Sequence, residues 1–149
     1  MGGLAGKRLG ALTPQLITLM KKVWPQLASS MALSTLVHCD FNPKNILLAD
    51  GSDEPWILDW EFAMAGDPLI DLGNFFRFAD DYPSGAQIQL LNAYQAQCGL
   101  LPKDWQTTAR LHDLISMIQF LNSPEEKPHT FDTARMIIEK TLQDSSLAV

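Results

Sequence analysis

Two short apolar runs with a polar turn between them constrain this chain more than any other feature. Ile46-Leu47-Leu48 and Trp56-Ile57-Leu58 flank Ala49-Asp50-Gly51-Ser52-Asp53-Glu54, and Asp-Gly in a loop between apolar runs marks a β-hairpin. Paired strands of a hairpin run antiparallel, so the residue entering the first and the residue leaving the second meet at one edge. Here those residues are Asn45 and Asp59. A third apolar run, Leu36-Val37, leads into the polar segment that precedes the hairpin.

The rest of the chain has a helical period. Thr13-Pro14 is a cap and first-turn pair, followed at helix spacing by Leu16, Leu19, Met20, Val23 and Leu27. Pro25 is expected to end or kink that helix. Asp67-Pro68 opens another helix that buries Leu69, Leu72 and Phe76. Ser84-x-x-Gln87 reads as a capping box for a helix carrying Leu91, Tyr94 and Cys98, which Gly99 stops. The longest helix is expected from Pro102 to Leu121, with Leu111, Leu114, Ile115, Ile118 and Leu121 as its core stripe. After a loop from Asn122 to Lys127, a last helix presents Phe131, Ala134, Ile138 and Leu142. Gly2 to Arg8 lacks a preceding strand and the glycine and Ser/Thr positions of a phosphate loop, so it reads as a flexible start. The expected fold is α+β, mainly α, as one domain over residues 1–149 with a small hairpin.

Composition narrows the class. A chain of 149 residues that is 46% hydrophobic can bury one core. Its net charge of −6 argues against a nucleic-acid partner. No apolar stretch approaches a membrane span, and no signal peptide is visible. Cys39 and Cys98 are too few for a disulfide framework, which makes a reduced cytoplasmic setting the expectation.

The segment before the hairpin carries chemistry. His38-x-Asp40-x-x-x-x-Asn45 has the register of the kinase catalytic loop, H-R-D-L-x-x-x-N. In that chemistry the Asp accepts the proton of the attacking hydroxyl, while the Asn and a later Asp hold the metal ions that bridge the phosphates. Together with Ile57-Leu58-Asp59-Trp60-Glu61 and Gly66-Asp67-Pro68-Leu69-Ile70-Asp71-Leu72-Gly73, the loop resembles the aminoglycoside phosphotransferase and choline kinase family, small-molecule kinases with the protein-kinase fold. The resemblance implies the helical C-terminal lobe of that fold, with the hairpin at its catalytic edge. It implies Asp40 as catalytic base, Asn45 and Asp59 as ligands of Mg²⁺ on ATP, and His38 and Asp71 as structural support, with Asp71 bracing the loop by hydrogen bonds. Cys39 stands where the family usually has Gly, a small-for-small change. Asn42 stands where protein kinases place a phosphate-binding Lys, so that role is lost or passes to Lys44.

Other constellations carry less. His112-Asp113 is expected to be a helix-surface pair, because the further ligands of a metal-dependent phosphohydrolase are missing. Cys39 is expected to be packed rather than nucleophilic, and Phe75, Phe76 and Phe78 to be core. Asp80, Asp81, Glu125 and Glu126 read first as solvated loop carboxylates. In the family's architecture they would also suit contacts to an amine-bearing acceptor. An aminoglycoside, choline, an amino sugar or another hydroxylated metabolite would fit.

No glycine-rich loop and no strand bearing a phosphate-binding Lys precede His38. The chain is therefore expected to be a C-terminal lobe without its nucleotide-binding lobe, and to transfer little phosphate by itself. The alternative is a non-catalytic remnant that binds a metabolite or partner. Apolar surface left bare by the missing lobe would be covered in a homodimer or by the first residues folding over it.

Overall fold

The structure, a computed structural model, describes residues 3–31 and 35–144. Its elements in chain order are α1 (Leu4–Leu9), α2 (Thr13–Ser30), β1 (Thr35–Val37), β2 (Ile46–Leu48), β3 (Pro55–Ile57), β4 (Met64–Gly66), α3 (Leu69–Phe76), α4 (Ala86–Cys98), α5 (Trp105–Leu121) and α6 (Pro128–Leu142). The arrangement is α+β and mainly α.

Helix α5 is the hub. Leu111, Leu114, Met117, Ile118 and Leu121 form one core with Ala5 and Leu9 of α1, with Leu16, Leu19, Val23 and Leu27 of α2, and with Ala134 and Ile138 of α6. Each fully buried leucine there contributes about 2 kcal/mol. On another side of α5, Ala109 packs with Leu69 and Leu72 of α3, and half-buried Leu90 and Tyr94 of α4 cover that cluster. Gly73 permits the close approach of α3, because a Cβ there would lie 2.3 Å from the Ala109 carbonyl oxygen.

The strands form two separate antiparallel pairs. β2 and β3 make the hairpin, with Ile46 opposite Ile57 and Leu48 opposite Pro55. β1 pairs with β4, Thr35 opposite Gly66 and Val37 opposite Met64. That second pair was not foreseen beyond its first strand, since Met64-Ala65-Gly66 has no strand-like pattern of its own. The pairs leave Leu36, Leu47, Leu48, Trp56, Phe62 and Met64 exposed around them.

Several expectations need correction. Residues 4–9 are a helix rather than a flexible start: Ala5 and Leu9 are buried, and Asn122 Oδ1 accepts the Ala5 N–H at 3.0 Å. Arg8 donates to the Leu121 and Ser123 carbonyls at 2.8 and 2.7 Å, satisfying acceptors that the end of α5 leaves open. The first described residues thus pack on α5, not over the strand pairs. Helix α2 continues through Pro25 to Ser30, because Val23 and Leu27, on either side of it, are held in the core, and packing outweighs one lost hydrogen bond.

The Ser84 capping box does not form. Gly85, at φ 85°, occupies the cap position, and the Gln87 amide donates to the Ala79 carbonyl at 2.7 Å. Helix α5 starts at Trp105 after a turn closed by Trp105 N–H on the Pro102 carbonyl, and at 17 residues it is shorter than the 18-residue α2. His112 and Asp113 are not a surface pair; both are buried. Among the described residues no helix is long and apolar enough to cross a membrane.

Candidate active site

Val37, fully buried, ends β1 and delivers the chain to His38, also buried. The His38 ring is fixed from both sides. A carbonyl can only accept, so Nε2 donates to the Leu58 carbonyl at 2.7 Å, and Nδ1 then accepts the Asp40 N–H at 3.2 Å. Trp60 packs on the same ring with centroids 4.7 Å apart. His38 therefore ties the loop to the far end of the hairpin.

Asp71, in the first turn of α3, clamps the loop. Its Oδ2 accepts the His38 N–H and its Oδ1 the Cys39 N–H, both at 2.8 Å. Asp71→Asn turns one of these acceptors into a donor facing a donor. The expected loss is about 1–2 kcal/mol of stability, read by urea unfolding of the two proteins.

Cys39 has φ 67° and Asp59 φ 65°, the two non-glycine residues in the left-handed region among those described. A side chain in that region costs about 1 kcal/mol, so Cys39 for Gly is not a neutral exchange of small residues: the backbone here favours Gly. Burial, with the Asp71 carboxylate adding to it, pushes the Cys39 thiol up from its ordinary value, which keeps it protonated and unsuited to nucleophilic attack.

Asp40 is held on every side. The Asn42 amide donates to its carbonyl and Oδ1 at 2.8 and 2.9 Å. The Asn45 amide donates to its carbonyl and Oδ2 at 2.9 and 3.0 Å. Lys44 Nζ lies 3.1 Å from Oδ2. Asn42 also caps the 3₁₀ turn Pro43–Asn45, its Oδ1 accepting the Lys44 N–H. Asn45 is buried, and its carbonyl accepts the Leu58 N–H at 2.8 Å, one pairing beyond Ile46 and Ile57. The same residue thus orients Asp40 through its side chain and grips the strand that leads to Asp59 through its backbone.

Asp40, Lys44, Asp59 and Glu61 line one wall of a cleft of about 970 Å³. A second part of the lining comes from α5, α6 and the loop between them. Asp80 and Asp81 are exposed and do not line it; Asp80 pairs with Lys140 at 3.2 Å. Glu125 pairs with Lys127 at 2.7 Å and Glu126 with Arg8 at 2.9 Å, likewise outside the cleft lining. Phe75 stacks on Phe41, Phe76 packs on Trp105, and Phe78 is exposed at the cleft. No group of three or more His, Cys, Asp or Glu side chains that could hold a metal occurs among the described residues.

Two buried pairs behind the site were not read as such from the sequence. His112 Nε2 lies 3.2 Å from Asp67 Oδ2 and 3.0 Å from Ser30 Oγ, while Asp67 Oδ1 accepts the Leu69 N–H and so starts α3. Burial pushes the Asp67 carboxyl up, but bonds from His112, Leu69 and Ser30 outweigh it and leave its pKa lowered. Asp113 accepts from Arg77 at 2.6 and 2.9 Å. Burial raises its pKa, with Arg77 pulling the other way. The available signal was position: His112 and Asp113 sit inside the apolar stripe of α5, between Leu111 and Leu114.

No curated protein and no solved structure matches the chain. A family model described as the phosphotransferase enzyme family matches residues 3–114, from α1 into α5. That span contains the loop, the hairpin and the Gly66–Gly73 segment, and the chain belongs to the phosphotransferase enzyme family.

Proposed function

We propose that this chain carries the catalytic and acceptor-binding lobe of an ATP-dependent small-molecule kinase, which moves the γ-phosphoryl group to a hydroxyl. Asp40 takes the hydroxyl proton as the oxygen attacks the γ-phosphorus, the bond from that phosphorus to the β–γ bridging oxygen breaks, and ADP departs. Asn42 and Asn45 hold the Asp40 carboxylate in one orientation, so little reorganisation is left for the reaction. Lys44, already beside Asp40, supplies a positive charge where the transferred phosphoryl passes.

Asn45 Oδ1 and the Asp59 carboxylate would hold Mg²⁺. The Asn45 amide nitrogen is spent on Asp40, which leaves its oxygen as an acceptor, and hard oxygen donors suit this ion. When bound, Mg²⁺ would supply neutralisation of phosphate charge. The observation that carries the reading is Asn45, whose side chain bonds Asp40 and whose carbonyl holds the strand that leads to Asp59.

The exposed apolar side chains around the strand pairs, Leu47, Trp56 and Phe62 among them, suit the packing of a nucleotide-binding lobe or a second copy of the chain. We place the protein in the cytoplasm, where Cys39 and Cys98 stay free thiols. The test is transfer of labelled γ-phosphate to a panel of hydroxyl compounds by the chain joined to a nucleotide-binding lobe, over a Mg²⁺ titration. Asp59→Ala is expected to cut turnover by at least about 10²-fold at low Mg²⁺. Unchanged turnover and an unchanged Mg²⁺ requirement would remove Asp59 from the metal site.

A further inference from the structure

The two walls of the cleft differ in charge. Its carboxylates, Asp40, Asp59 and Glu61, all come from the catalytic loop and the segment after β3. Among the described residues the wall built from α5, α6 and their connecting loop contributes no carboxylate to the lining. It offers apolar Ile115, Phe120 and Phe131, and alongside them the basic side chains Lys127 and His129. The partner of Lys127, Glu125, is 70% exposed and Lys127 itself 54%, so that pair is weak and screened by water. Its ammonium can turn to a ligand at little cost. His129 makes no hydrogen bond or ion pair among the described residues and is exposed.

A polycationic acceptor would find no carboxylate in the lining of this wall, Glu125 lying outside it and already paired with Lys127, and would meet Lys127 and His129 first. The acidic groups that could have served it, Asp80, Asp81, Glu125 and Glu126, lie outside the lining. An apolar body, by contrast, gains from burial between Phe120, Phe131 and Phe62, and a terminal anion gains from the basic side chains. We infer that the acceptor is an apolar-bodied hydroxy acid, with its hydroxyl at Asp40, its hydrocarbon middle along the cleft and its carboxylate at Lys127 and His129. The inference rests on the phosphotransfer reading above and names the acceptor class for the same site.

Binding of ω-hydroxydecanoate, its methyl ester, ω-aminodecanol and kanamycin to the full chain tests it, followed by NMR of the aromatic resonances. The hydroxy acid is expected to shift Phe120 and Phe131 saturably, about fivefold more tightly than the ester, and to lose that preference in Lys127→Glu. The ester comparison needs no protein variant, so the result stands even if the substitution disturbs folding. Four outcomes each overturn the inference: the ester or the amine binding as tightly as the acid, kanamycin binding best, shifts confined to Trp56 on the exposed strand face, or no shift with any probe. The two readings fail separately. Hydroxy acid bound as described but never phosphorylated by the lobe-joined chain sinks the phosphotransfer reading, whereas kanamycin phosphorylated in its place sinks only the acceptor class.

Discussion

Asp40→Asn is expected to lower phosphoryl transfer by about 10²- to 10⁴-fold, the range for losing a positioned general base. The assay is the one for γ-phosphate transfer, run with the chain joined to a nucleotide-binding lobe or mixed with one. On the proposed function, in which a nucleotide-binding lobe positions the triphosphate, most of the rate depends on that positioning. The substitution has a second, smaller effect. Asn42 and Asn45 both donate to the Asp40 carboxylate, and an amide can accept from only one of them, so the other donor is left facing a donor. Thermal unfolding should therefore fall by a few degrees, far less than unfolding of the lobe would require, while acceptor binding persists. Turnover that survived Asp40→Asn would take Asp40 out of the mechanism. Robust turnover by the chain alone, lost on Asp40→Asn, would mean that residues of this lobe hold the nucleotide.

Local chemistry made part of this architecture legible and tertiary packing hid the rest. Asp50-Gly51 announces its turn without help from distant residues, and the hairpin it predicts is β2 and β3. Asp67-Pro68 likewise starts α3, with the Asp67 carboxylate on the Leu69 N–H. Pro25 misled because the propensity rule describes an isolated helix, whereas α2 is held on both sides of the proline by core residues. Residues 4–9 misled for a similar reason: what orders them is the open end of α5, more than a hundred positions away, which Arg8 caps.

In the site, spacing alone indicates that Asn45 and Asp59 flank the hairpin. It does not show that Asn45 spends its amide on Asp40, nor that Cys39 and Asp59 adopt left-handed backbone. Those features follow from how the loop is clamped between Asp71 and Leu58. The buried partners of His112 and Asp113 come from α2, from Arg77 just past the end of α3 and from the turn before α3, and no pattern within α5 names them.

Gly73→Ala is expected to be strongly destabilising although it adds one methyl group and improves helix propensity. In a free helix Ala is favoured over Gly by about 1 kcal/mol, so propensity predicts a gain. The packing predicts the opposite. A Cβ on Gly73 would lie 2.3 Å from the Ala109 carbonyl oxygen and 3.0 Å from its carbon, and both are backbone atoms of α5 that no rotamer change can move. Helix α3 must therefore shift outward along the contact that buries Leu69 and Leu72, at a cost of about 3 kcal/mol or more for overpacking against a rigid neighbour. The net loss is about 2 kcal/mol, or roughly 4–8 °C in Tm for a chain of this size. The shift also reaches the site. Asp71 lies two positions before Gly73 on the same helix, and it holds the His38 and Cys39 N–H groups at 2.8 Å. Transfer by the lobe-joined protein should fall together with stability, and at a temperature where the variant remains folded. Calorimetry and turnover measured on Gly73→Ala decide the matter: a variant as stable and active as the parent would show that α3 and α5 do not meet at this glycine, and would detach Asp71 from the packing that positions it.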